Sequence, residues 1–241
     1  MTDQRQRELA ENLAAVRSRL HSACRAAGRD PAEVSLVVVT KTYPAADVQR
    51  LVALGVTDVG ENRDQEAAAK AAEVAELGAR VRWHFVGQLQ RNKCRSVVRY
   101  ADMVHSVDSV RLATALADAA RQHRDHPLET LVQVSLDGDA ARGGAVTGSA
   151  EPDISVDRVL QQVAAAEGLE LRGLMAIAPL GWEADRAFGE LARVAARVRA
   201  EYPDATVLSA GMSGDVEQAI QHGATHVRLG SAVLGNRASL M

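Results

Sequence analysis

Val34-Ser-Leu-Val-Val-Val-Thr-Lys-Thr42 is the stretch on which the fold turns. From Val34 to Thr40 the residues are almost all aliphatic or β-branched, without the apolar–polar alternation of a half-exposed strand. Runs of this kind belong to parallel strands covered by helices on both faces. Upstream, Leu9, Leu13, Val16, Leu20, Cys24 and Ala27 recur at three- and four-residue intervals, the stripe of an amphipathic helix. Gly28 ends that helix and Asp30-Pro31 turns the chain. Downstream the reading alternates to the C-terminus. Strands are expected at 34–40, 57–60, 82–86, 103–107, 129–136, 171–178, 205–210 and 225–229. Helices are expected at 45–54, 63–77, 91–100, 109–124, 154–167, 183–201 and 214–222, with a short turn from 231. Eight strands alternating with helices predict an α/β chain, a single (β/α)8 TIM-type barrel with an extra N-terminal helix. An open doubly wound sheet is the alternative. No linker or composition shift divides residues 1–241, so one domain is expected, with the helix in 1–28 and the barrel in 34–237. The stretch 137–152, rich in Gly, Ala and Asp, reads as a long loop.

The bulk numbers narrow the function. Hydrophobic residues make up 47% of the 241, enough for one sizeable core. A net charge of −3 and only 3% aromatic residues argue against a nucleic-acid or membrane partner. Cys24 and Cys94 have no metal-ligand spacing and read as reduced thiols; no metal site is expected. The first eleven residues are too polar for a secretory signal, and apolar runs are broken within about ten residues, too short to span a membrane. The expectation is a soluble cytoplasmic protein.

In such barrels the active face lies at the C-terminal ends of the strands. Lys41 falls there, directly after Thr40. An amine at such a place is partly removed from water, which favours the neutral nucleophile that a Schiff base needs; a lysine snorkelling to solvent is the plainer reading. The last two strands run into Ser209-Ala-Gly-Met-Ser213-Gly-Asp215 and Arg228-Leu-Gly230-Ser231. Gly/Ser turns at a strand-to-helix junction expose backbone N–H groups and hydroxyls to an anion, and barrel phosphates commonly bind after strands seven and eight. Ser213 could instead be an ordinary helix cap. A lysine facing a phosphate cradle suits pyridoxal 5′-phosphate (PLP) or a phosphorylated sugar in a Schiff-base lyase. The residues alone leave both open.

An ordered set of segments narrows the choice. Val39-Thr-Lys41-Thr, Gly60-Glu-Asn62, Trp83-His-Phe-Val-Gly87-Gln-Leu-Gln-Arg-Asn-Lys93, His105-Ser-Val-Asp108, Gly173-Leu-Met175-Ala-Ile177, Gly211-Met-Ser213-Gly-Asp215, Val227-Arg228-Leu-Gly230 and Gly235-Asn-Arg237 follow in sequence. Together they resemble the pyridoxal phosphate homeostasis protein family, related to the alanine racemase N-terminal barrel. The resemblance implies PLP as a covalent aldimine on Lys41, and a phosphate held by Ser213 with the Gly230-Ser231 turn. It also implies Arg228 facing the pyridine nitrogen, Asn62 near the ring, and His84 and Met175 lining the pocket. Ala210, Arg142 and Leu234 depart from the family pattern without removing a cofactor-bonding group.

Other features have plainer readings. His84 is equally readable as a core histidine and Asn62 as a helix cap. Arg91, Lys93, Arg95 and Arg99 read as a solvated face, since the aromatic interleaving of an RNA binder is missing. His105 and Asp108 read as a turn and helix cap. The resemblance also bears on catalysis. An Arg beside the pyridine nitrogen weakens the electron sink, and the racemases add a tyrosine from a second domain. This chain ends at Met241, just after the eighth unit. The expected role is therefore non-catalytic: binding, buffering or delivering PLP, with PLP-dependent apoenzymes as recipients, in a monomer or weak dimer. A PLP-dependent amino-acid racemase is the alternative.

Overall fold

The computed structural model describes residues 4–139 and 143–235. Its strands are β1 (Ser35–Val39), β2 (Asp58–Glu61), β3 (Arg82–Phe85), β4 (Met103–Val107), β5 (Leu128–Ser135), β6 (Leu169–Met175), β7 (Val207–Ser209) and β8 (His226–Leu229). Each pairs in parallel with the next. The closing ladder sets Ser35, Leu36, Val37 and Val38 against His226, Val227, Arg228 and Leu229. That ladder makes the sheet a closed barrel and excludes the open doubly wound alternative. Around it lie α1 (Gln4–Ala26), α2 (Ala45–Ala53), α3 (Asp64–Glu76), α4 (Cys94–Val97), α5 (Val110–His123), α6 (Val156–Ala165), α7 (Ala184–Glu201), α8 (Val216–Gln221) and α9 (Ser231–Leu234).

The apolar run that opened the reading is β1, covered as expected: Val37 and Val38 are fully buried. Two expectations change. The helix expected over 91–100 is a 3-10 turn, Arg91–Lys93, followed by the single turn of α4. Cys94, Val97 and Val98 of that stretch are buried in the core and Tyr100 packs against it, too few to anchor a longer amphipathic helix. Within the stretch 137–152, Ala145–Val146 pairs in parallel with Val134 and Ser135 at the end of β5. Arg142, Asn236 and Arg237 lie outside the described residues.

Helix α1 covers the C-terminal units. Leu9, Leu13, Val16, Leu20 and Cys24 are buried as the stripe predicts, and Ala23 joins them where Ala27 was expected. Burying each large aliphatic side chain contributes roughly 1.5–3 kcal/mol. Polar bonds fix the register: Arg5 Nη2 donates to the Leu234 carbonyl (3.0 Å), Asn12 Nδ2 to Val233 (3.1 Å) and Arg19 Nη1 to Ser213 (3.0 Å). The barrel interior has two characters. Met103, Leu131, Met175 and Val207 form a small apolar cluster. Beside it runs a chain of buried polar side chains.

Candidate functional site

A cleft of about 370 Å³ opens where β1 and β8 end, lined among others by Lys41, Tyr43, Met212, Ser213, Arg228, Gly230 and Ser231. Five of the eight residues expected to hold a cofactor thus share one cavity: Lys41, Ser213, Arg228, Gly230 and Ser231. Lys41, Ser213 and Ser231 are exposed, while Arg228 is buried. The partial desolvation expected of Lys41 is not found, because the strand end stands at an open rim.

The acids beside the turn are occupied elsewhere. Asp215, not Ser213, stands at the N-cap position of α8, and its Oδ1 accepts the Met212 N–H at 2.6 Å rather than an amide of the helix. Glu217 is held bidentately by Arg19 at 2.6 and 2.7 Å. The Glu217 charge is thus paired, while the Asp215 carboxylate keeps its charge near Arg228. Gly230 is demanded by packing: a Cβ there would stand 3.1 Å from the Val39 carbonyl oxygen. The two strand ends that frame the cleft therefore touch.

Asn62, His84 and Met175 are not among the cleft-lining residues. Asn62 follows β2, half-buried, with Gly87 against its backbone; a Cβ on Gly87 would come within 2.2 Å of the Asn62 carbonyl oxygen. That approach accounts for the glycine in the Val86-Gly87 turn. Its Oδ1 is buried with no partner among the described residues. Met175 belongs to the apolar interior cluster. His84 is a core histidine: Nε2 lies 2.8 Å from Asp58 Oδ1 and Nδ1 lies 2.9 Å from His105 Nε2. Its height in the barrel, set by pairing with Gly60 and Met103, keeps it below the mouth.

Sequence reasoning missed where His105 goes. Its Nδ1 lies 2.9 Å from Ser209 Oγ, which accepts from Arg228 Nη1 at 2.7 Å; Arg228 Nη2 donates to the Ala176 carbonyl at 3.1 Å. A continuous relay thus runs Asp58–His84–His105–Ser209–Arg228, and the turn-and-cap reading of His105 is corrected. Donor inventory fixes the protons. Arginine only donates, so the Ser209 hydrogen goes to His105 Nδ1. At the other end an ionised Asp58 requires Nε2–H on His84. The link between them is then His105 Nε2–H donating to His84 Nδ1, with both rings neutral. Burial, aided by the charge of Arg228, pushes His105 well below the ordinary histidine range. Burial alone would raise Asp58, but hydrogen bonds from His84 and Thr57 outweigh it and hold the carboxyl low. Burial lowers Arg228 to about 10, still charged at neutral pH. The relay fixes the guanidinium beneath the cleft, with donors remaining for a ligand above it.

The cleft meets the requirements of PLP. It offers an amine at a strand end, two hydroxyl-bearing turns, and a fixed guanidinium, in a volume suited to one small molecule.

The sequence model of the alanine racemase N-terminal domain family matches residues 11–238. This chain belongs to that family of barrel domains. Within it the chain belongs with the pyridoxal phosphate homeostasis proteins. It is 51% identical to the protein of that name from Mycobacterium tuberculosis H37Rv, over 97% of this chain and 94% of the relative. It is 37% identical to the Escherichia coli K12 protein of that name, over 95% and 97%. The solved structure of PipY from Synechococcus elongatus PCC7942, with PLP bound, superposes with a TM-score of 0.79 at 36% identity, covering 94% of this chain and all of that one.

Proposed function

We propose that this chain binds PLP as a Schiff base on Lys41 and serves PLP homeostasis in the cytoplasm by holding and releasing the cofactor, without catalysing a reaction of its own. The observation that carries the reading is the sharing of one cleft by Lys41, Ser213, the Gly230-Ser231 turn and Arg228. The PLP bound in PipY, and the name of the Escherichia coli relative as a PLP homeostasis protein, support it. When bound, the cofactor supplies an aldehyde for amine exchange and an electron-withdrawing ring.

Each residue has a task. The Lys41 amine makes the covalent link. Ser213 and Ser231, with the amides of their turns, bind the phosphate through charge-assisted bonds. Arg228, held by Ser209 and Ala176, faces the pyridine nitrogen and keeps a proton from it. Asn62, whose Oδ1 is buried without a partner among the described residues, lies near the ring. A base on the far face of the ring is what racemisation would add. Tyr43, the tyrosine of the rim, already donates its hydroxyl to the Gly235 carbonyl at 2.7 Å. PLP-dependent apoenzymes are the recipients, and one barrel per cofactor acts as a monomer or weak dimer.

The lysine inventory makes the test simple. Lys41, Lys70 and Lys93 are all the lysines in the chain. Lys70 is buried in an ion pair with Glu61, and Lys93 lies 4.0 Å from Asp64, outside the cleft lining. PLP followed by borohydride and peptide mapping is expected to label Lys41. A label mainly on Lys70 or Lys93 would falsify the assignment, and alanine racemisation at enzymatic rates would overturn the non-catalytic reading.

A further inference from the structure

Beneath the rim, a buried ion pair reaches the chain on both sides of Lys41. Lys70 on α3 is the buried lysine of the chain, 5% exposed. Its Nζ donates to Glu61 Oε1 at 2.5 Å, to the Thr40 carbonyl at 2.8 Å and to Glu66 Oε1 at 3.4 Å. Thr40 Oγ1 donates to the same Glu61 oxygen at 2.7 Å, and the Thr42 N–H donates to Glu66 Oε1. One ammonium and two carboxylates therefore grip residue 40 and residue 42, leaving the Lys41 side chain free at the cleft.

Thr42 needs such a grip. Its φ is +70°, and among the described residues it is the non-glycine residue in the left-handed region. A β-branched side chain resists that conformation, which persists only where the surroundings over-determine it. The turn it makes ends β1 and brings the Tyr43 N–H back to the Thr40 carbonyl at 3.0 Å. A buried ion pair does not by itself stabilise a fold relative to apolar residues. What distinguishes this pair is where its hydrogen bonds converge. Burial pushes the Glu61 carboxyl upward, against the bonds from Lys70 and Thr40. The lysine thus keeps an acceptor available for the Thr40 hydroxyl.

We propose that Lys70 is a positioning residue: through Thr40, Glu61 and Glu66 it holds the left-handed turn at Thr42 that presents the Lys41 amine to the cleft. The inference rests on the reading of Lys41 as the cofactor-bearing lysine. Capture is a condensation in which the neutral Lys41 amine replaces the aldehyde oxygen, which leaves as water. A displaced amine slows that step without weakening phosphate binding.

The test uses the full chain with the charge-neutral pair Glu61→Gln/Lys70→Met, and the same pair carrying Thr42→Gly. In the ligand-free double variant, exchange of the Thr42 amide should quicken about tenfold or more. Borohydride-trapped capture of PLP at Lys41 should slow about tenfold or more. Affinity for pyridoxine 5′-phosphate, which has ring and phosphate but no aldehyde, should stay within about twofold. Thr42→Gly should bring capture back to within about threefold of the unmodified chain, since glycine adopts this φ without strain. Capture at the unmodified rate by a folded double variant overturns the proposal, as does an equal loss of capture and pyridoxine 5′-phosphate affinity. Should the double variant not fold, Glu66→Ala at its partly exposed site removes the Thr42 acceptor, and unchanged exchange and capture there overturn it equally. An unmodified chain that captures no PLP at Lys41 would sink the cofactor reading and this inference together. If it captures PLP and the variants do so equally fast, this inference alone falls.

Discussion

The rim of the barrel and its interior are built on opposite terms. At the rim, Lys41, Ser213 and Ser231 are exposed. In the interior, Asp58, His84, His105, Ser209 and Arg228 are buried, and each bonds to the next. A ligand is expected to fill the bonding capacity of the first set, while protein partners hold the second, of which Arg228 alone also lines the cleft. The lesson is that the exposed groups that touch a ligand and the buried groups that aim them belong to different layers, joined at Arg228. Damage to each layer should therefore read out differently, in binding for the rim and in stability for the interior.

The largest contrast is expected at Lys41. Lys41→Ala should abolish covalent PLP capture entirely while leaving urea denaturation unchanged within about 0.5 kcal/mol, since the side chain is exposed. A loss of stability above that would mean that rim and interior are not separate layers. The converse is His105→Leu, which strands His84 Nδ1 and the Ser209 hydroxyl hydrogen in the interior, while Ser209 Oγ keeps its bond from Arg228. Each unsatisfied buried group costs about 1–3 kcal/mol, so denaturation should report a loss of about 2–6 kcal/mol in all. A loss below about 1 kcal/mol would mean that the relay contributes little.

Acid should strike the interior too. Burial lowers His226 from 6.5 to about 4, and His105 shifts the same way. The unfolded chain takes up these protons near pH 6.5 and the folded chain resists, so stability is complete above 6.5 and declines as pH falls. His226 alone should remove about 3 kcal/mol between pH 6.5 and 4, and His226→Asn should flatten that part of the profile. A flat profile in the unmodified chain would contradict the burial of these rings. The smallest effect is at the rim. Ser213→Ala should weaken PLP about ten- to a hundredfold, the worth of one charge-assisted bond, and leave the fold intact. Pyridoxal, which lacks the phosphate, should bind poorly and lose little more. Absorbance titrations with both ligands decide it, and equal affinities in the unmodified protein would remove the phosphate cradle.

What could be read in the sequence divides along the same line. The covered run at 34–40 and the strand-end position of Lys41 follow from local pattern, as do the Gly/Ser turns after 209 and 228. Height inside a barrel does not. His84 and Met175 alternate inward as expected, but how far below the mouth they sit depends on strand register, which only pairing fixes. Lys70 was invisible for another reason. It lies in Ala67-Ala-Ala-Lys70-Ala-Ala, where a lone lysine reads as a solvated helix face. The Glu66–Lys70 spacing was the available hint, but i,i+4 pairs are common on exposed helices. Burial of Lys70 depends on Glu61, which belongs to β2 rather than to the helix.

Helix α1 gives the fold an order in time. Its Arg5, Asn12 and Arg19 bond to carbonyls at Leu234, Val233 and Ser213. Helix α1 therefore finds polar partners 194 to 229 residues further along the chain, made well after it. During synthesis at about 5–20 residues per second, its apolar stripe waits roughly ten seconds or more without the helices that cover it. β1 waits as long for β8, its partner at the closing seam. The nascent chain thus carries an unshielded helix and an open strand edge until β8 and α9 have emerged, and a chaperone that binds apolar helices has that interval in which to act.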